Sequence, residues 1–197
     1  MFGWLKRKGN TNSNTASSFP TIDVSGPEYS DLHPQKERIS EILLETGALH
    51  PEHVGWAADI IQKYRSSPAA QWQNIVRDGQ ALTKEELKNR GLRVNQKIGM
   101  GFVSKISSDD IDWAIKSIKA DIRLAQSEAS QKFDLRRQKR LGVEYVIFSS
   151  TKDERNTALE NKFEGKKMTI AEAEQLIDDH GREITRSIFQ PVLDLDL

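Results

Sequence analysis

The chain has 197 residues, enough for one good core or two small ones. Its 29 basic and 29 acidic side chains cancel, which leaves no whole-molecule attraction to nucleic acid or to an anionic membrane, so any such contact must be local. Cysteine is absent, which rules out a disulfide, a thiolate nucleophile and Cys-ligated zinc. No apolar run nears the roughly 20 residues that span a bilayer, so a soluble protein without a transmembrane segment is expected.

The first eight residues place Phe2 and Trp4 beside Lys6, Arg7 and Lys8 but lack the apolar core of a secretory signal, and read as a frayed terminus. From 9 to about 34 the chain is dominated by Asn, Ser, Thr, Gly and Pro, a mixture that buries too little apolar surface to offset the entropy of ordering. Residues 1–34 are therefore expected to form a flexible arm, with Phe19, Ile22, Val24 and Tyr29 able to dock as an extended piece.

A helix is expected over 35–46, with Ile39, Ile42 and Leu43 on one face and Gly47 as its stop. A second starts at Pro51 and turns Val54, Ala57, Ala58, Ile61 and Tyr64 inward, with His50 and His53 at its opening. Trp72, Ile75 and Val76 indicate a third. Thr83 and Glu86 have the spacing of a capping box, which opens a short helix ending at Gly91. Helix is also expected over 94–106, weakened by Gly99 and Gly101.

Ser108, Asp109 and Asp110 supply capping oxygens and negative charge for the start of a long helix reaching 141. Ile111, Ile115, Ile118, Ile122, Ala125 and Ala129 alternate at spacings of four and three, which puts them on one packing seam. Such a helix exceeds what a small compact domain covers, so part of it is expected to project or to meet another chain, including a second copy.

After Gly142 the β-branched and aromatic run 143–148 reads as a buried strand. A short extended piece is expected over 162–167, a capping box at Thr169 and Glu172 opens a helix ending near His180 and Gly181, and 182–192 is expected to pair with the first strand. The fold class is α+β: a mostly helical N-terminal region over 35–107, then a long helix leading into a small C-terminal sheet module over 108–197.

Asp153, Glu154 and Arg155 follow the end of the first strand, where a rigid element aims side chains. Two carboxylates and an arginine there could position water or a polar substrate, and with His180 or Glu183 as acid or base they would make a small cytosolic hydrolase or transferase. The favoured reading is that the trio caps a turn and forms an internal ion pair. Asp178, Asp179, His180 and Glu183 carry donor atoms without a recognised metal-ligand spacing, so no metal or other cofactor is expected. Lys132, Arg136, Arg137, Lys139 and Arg140 would suit phosphate or a partner, but complementation of the helix dipole on a solvated face explains them more simply. No glycine-rich phosphate loop or nucleophile elbow is present.

Several short segments occur in a telling order. They are the long-helix stretch from Arg123 to Glu128, Leu141-Gly142-Val143, Tyr145-Val146-Ile147-Phe148, Asp153-Glu154-Arg155, Gly165-Lys166, and the closing Arg186-Ser187-Ile188-Phe189-Gln190-Pro191-Val192. Together, over roughly 105–193, they resemble the Mu F type phage head-morphogenesis domain. Many members of that family carry a cysteine pair after the Asp-Glu-Arg triplet and a Cys-Arg-Cys near the end. Here those places hold Asn156-Thr157-Ala158-Leu159 and Thr185-Arg186-Ser187, so this would be a cysteine-less, divergent member without any metal or thiol role. The resemblance implies a non-enzymatic phage- or prophage-derived assembly protein, cytoplasmic or virion-associated. Its expected partner is a portal or capsid-like protein, with packaged DNA as a weaker expectation.

Overall fold

The computed structural model describes residues 32–192. The expected arm, its docking residues Phe19, Ile22, Val24 and Tyr29, and the aromatic-basic first eight residues lie outside that range, apart from positions 32–34.

Helix α1 spans Lys36–Thr46, buries Ile39, Ile42 and Leu43, and stops at Gly47, whose left-handed φ of 66° lets its N–H reach the Leu43 carbonyl. Helix α2, Pro51–Lys63, buries Val54, Ala57, Ala58 and Ile61. Tyr64, expected inward, instead sits half-buried at the end of α2, past the last full turn. Helix α3 is Pro68–Val76, capped by the Ser67 hydroxyl, and α4 is Lys84–Asn89, opened by the Thr83–Glu86 capping box.

The helix expected over 94–106 does not form; only Met100–Val103, α5, is helical. The backbone before it is engaged elsewhere. The Leu82 N–H donates to the Ile98 carbonyl at 2.8 Å, the Gly99 N–H to Val76 at 2.8 Å, and the Met100 N–H to Gln80 at 2.7 Å. Gly99 makes this possible because a Cβ there would lie 1.8 Å from the Asp78 carbonyl oxygen. The glycine that weakens the helix expectation is therefore a site of close backbone approach.

Helix α6, Ile111–Arg140, opens on Asp110, whose carboxylate accepts the Trp113 N–H at 2.9 Å. Its 30 residues extend about 45 Å. All six seam residues are buried within the chain itself. The expected projection is not seen along most of the helix, because its apolar side chains up to Ala125 join one core and Leu135 another; only the last turn, with 136, 137, 139 and 140 exposed, lies largely open. One core gathers side chains from Ile39 to Ala125, and a second joins Leu135 to Val146, Phe148, Met168, Ile177, Ile184 and Phe189. Between them α6 buries two polar residues, Glu128 and Gln131.

The module's sheet has the antiparallel order β2-β1-β3, with β1 Tyr145–Ser149, β2 Lys167–Thr169 and β3 Ile188–Pro191; the strand expected buried over 143–148 thus starts two residues later, on an exposed Tyr145, and buries only Val146 and Phe148 fully. Val146 lies opposite Met168 on one side and Pro191 on the other, and Phe148 lies opposite Phe189. Pro191, which lacks an N–H, is on an edge strand as the sequence suggested. The extended piece expected over 162–167 is displaced: Ala158–Phe163 is a helix, α7, opened by a third capping box at Thr157 and Glu160, and the strand starts only at Lys167. Helix α8 is Ile170–His180.

The expected final strand is also shortened. Gly181–Glu183 is a single 3-10 turn and only Ile188–Pro191 pairs with β1. The buried Gln131 amide takes the Ile184 and Ser187 carbonyls at 3.1 and 2.8 Å, so those groups cannot join a ladder. The architecture is α+β, helical first and with the sheet at the C-terminal end. Among the described residues no helix is long and apolar enough to cross a membrane.

Candidate functional site

The loop between β1 and α7 is held by a dense polar network. Glu164, just beyond α7, accepts the Ser150 N–H at 2.7 Å and the Ser150 hydroxyl at 2.8 Å, and pairs with Lys152 at 3.1 Å. Asn156 donates to the Ser150 hydroxyl at 2.7 Å and accepts from Thr151 at 3.0 Å. Lys152 has a left-handed φ of 54°, unusual for a residue with a side chain, and these bonds on either side hold it there.

Asp153 is the hub of this loop. One oxygen accepts the Arg155 backbone N–H at 2.9 Å, and the other accepts the Arg155 guanidinium at 2.7 Å. From the far end of the chain, Arg186 donates to the same second oxygen at 2.6 Å and to the Thr151 hydroxyl at 2.7 Å. Hydrogen bonds from Arg186 and Arg155 hold the Asp153 carboxyl well below the usual carboxylate range. Bonds from the Ser150 N–H and hydroxyl lower Glu164 in the same sense. Glu154 is exposed and has no ion pair among the described residues. The trio thus divides into a capped turn with its ion pair, built from Asp153 and Arg155, and an outward-facing glutamate.

The structure does not bring His180 or Glu183 into this network. They contact each other, Nδ1 to Oε1 at 3.2 Å, where α8 passes into the 3-10 turn. His180 lines a separate cleft of about 430 Å³ whose walls include Phe163, Lys167, Met168 and Leu176. Of the other donors considered for a metal, Asp178 pairs with Lys132, while Asp179 lines the same cleft as His180 and accepts from Gln175 at 2.9 Å. Among the described residues no group of three or more His, Asp or Glu side chains is arranged to hold a metal ion.

Of the basic residues at the end of α6, Lys132 and Arg136 reach across to Asp178 and Glu174 on α8, the second pair at 3.6 Å. Arg137, Lys139 and Arg140 stand exposed in the last turn, beside the negative end of the dipole. His50 and His53 meet edge to face at 6.5 Å at the start of α2.

The residues that join the two cores escaped sequence reading. Arg38 of α1 donates to both oxygens of Glu128, at 2.8 and 2.9 Å. Arg182, from the 3-10 turn, reaches Asp121 at 3.1 Å, Thr46 at 2.9 Å and the Ile42 carbonyl at 3.0 Å, so it also caps the end of α1. Burial pushes the Asp121 carboxyl up from its ordinary value, against the hydrogen bonds from Thr46 and Arg182. A signal existed: Asp121 and Glu128 are carboxylates seven apart on the apolar side of α6, and a buried carboxylate calls for a cation. What could not be read was which cation. No family model, no curated protein and no solved structure matches this chain.

Proposed function

We propose that this chain is a non-enzymatic assembly protein of the Mu F head-morphogenesis type, phage- or prophage-derived, which works by docking on a portal- or capsid-like protein. The observation that carries this reading is the meeting of the short segments behind the resemblance. Arg186 of the closing segment bonds Asp153 of the triplet, Gly165 and Lys166 close onto both backbone groups of Phe148, and the Val192 N–H donates to the Tyr145 carbonyl. Segments spread over nearly fifty residues make one packed unit around β1, as a domain defined by their order would require.

The chemistry of the triplet favours a positional role over catalysis. A carboxylate held far below neutral pH carries no proton to donate, and with two guanidiniums on it Asp153 is a poor base. The enzyme alternative, a hydrolase or transferase acting through Asp153, Glu154 and Arg155, would need the reverse.

Cross-linking and affinity purification of the tagged chain from its native cell tests the proposal. Stoichiometric recovery of a portal- or capsid-like protein is expected. Recovery of no such protein, together with hydrolase or transferase activity abolished by Asp153→Asn, would replace it with the enzyme reading.

A further inference from the structure

The two halves of the molecule meet through polar groups. The core from Ile39 to Ala125 and the core from Leu135 to Phe189 share no side chain, and between them α6 runs through 126–134 without lending a residue to either. Apart from α6, no element of the helical region packs extensively on an element of the sheet module. Among the described residues, every hydrogen bond and ion pair between 143–192 and 32–110 comes from one side chain, Arg182. On α1 its guanidinium is shared among Glu45 at 3.3 Å, the Thr46 hydroxyl at 2.9 Å and the Ile42 carbonyl at 3.0 Å, and on α6 it reaches Asp121.

A fold joined in this way parts more easily at the seam than it unfolds. Opening the seam exposes little of either apolar core, whereas unfolding one half exposes the whole of one. Closure is also incomplete. The Asp121 side chain is only 1% exposed and its Oδ2 has no hydrogen-bond partner, so the closed state keeps part of a carboxylate dehydrated and opening returns water to it. A cleft of about 120 Å³ between the start of α1 and Ala125, Glu128 and Ala129 leaves the neighbouring turns of α6 only partly covered. Polar seams between units of one chain are the ordinary setting for relative motion. We propose that the sheet module opens from the helical region as a unit, bending α6 within 126–134, with Arg182 as the latch that holds it shut. That stretch of helix belongs to neither core, and it bends where water enters the hydrogen-bond ladder once the flanking contacts part. The inference does not rest on the assembly reading.

The test measures a distance across the seam. The chain has no cysteine, so Leu44→Cys on α1 and Ala171→Cys on α8, both at exposed positions, take spin labels at those two sites alone. Double electron–electron resonance is expected to show a main distance and a second, longer one. The share of the longer distance should grow with sodium chloride, which screens the exposed Arg182–Glu45 contact, and grow about tenfold in Arg182→Gln, as loss of charge-assisted bonds implies. Lys162→Gln, which removes an exposed cation away from the seam, should leave both shares unchanged. If Arg182→Gln does not fold, Arg182→Lys, which keeps the charge and loses the fork, carries the same expectation. A single narrow distance at every salt concentration and in the Arg182 variant overturns the proposal. So does a longer distance that the Arg182 variant leaves unchanged, because the latch would then lie elsewhere. A longer distance that appears only together with loss of amide protection in β1 also overturns it, since the module would be unfolding and not opening.

Discussion

Arg38 and Glu128, ninety residues apart, form a two-bond ion pair in which the carboxylate is only 4% exposed. The pair sits where α6 leaves the helical core for the sheet module, and it draws the Arg38 guanidinium further above its ordinary range. Removing one partner strands a buried charge, which costs about 3–5 kcal/mol when both groups are buried. Arg38 is 29% exposed, so Arg38→Ala is expected to fall below that range, at about 2–3 kcal/mol, read from the midpoint of urea unfolding. Arg38→Met combined with Glu128→Leu should recover most of that loss, because no charge is left unpaired.

The Gly99 contact gives a second prediction. A methyl group at position 99 meets backbone atoms of Arg77 and Asp78, which cannot swing aside like the tip of a side chain. Gly99→Ala should therefore cost about 3 kcal/mol or more, at or beyond the usual range for overpacking. Gly47→Ala, where a Cβ meets nothing within 4 Å, should cost only the left-handed backbone penalty of about 1–2 kcal/mol. Equal losses in a thermal melt would remove close approach as the reason for Gly99.

At the Asp153 hub the two arginines should not be equivalent. Arg155 is 74% exposed and bonds only the residue two before it, whereas Arg186 is 32% exposed and ties the last segment of the chain to the β1–α7 loop. Exposed local pairs contribute little to stability. Arg155→Ala is expected to leave the melting temperature nearly unchanged and Arg186→Ala to lower it clearly. The opposite order would show that the loop is held locally and not by the closing segment.

The pH dependence follows from Asp153 and Glu164. Both carboxyls have folded values below their ordinary ones, so each contributes stability that is present above the ordinary values, about 4, and is lost as pH falls through the lowered folded values. The difference in melting temperature between the parent and Asp153→Asn should hold steady from neutral pH to about 5 and shrink below about 4. A difference that persists at the lowest pH at which the chain stays folded would mean that the carboxylate's charge is not what matters there.

Local signals in the sequence settled a large part of this structure. The αL stop at Gly47, the capping boxes at Thr83 and Thr169, the cap at Asp110, the seam along α6 and the strand after Gly142 each depend on neighbours within a few residues, so a single chain carries them without ambiguity. The spacing of Thr157 and Glu160 is the same kind of local signal, and it opens a helix where the sequence reading expects none. Tertiary structure decided what depends on partners far away in the chain. Backbone groups of 98–100 are taken by 76–82, so the expected helix shrinks to one turn; Gln131 takes the carbonyls of 184 and 187, so the last strand shortens; and Arg38, Arg182 and Arg186 find their carboxylates across 33 to 90 residues. Pairing of that kind is set by where the packed elements place each charge, and its cost or gain exists only once water has been excluded around it.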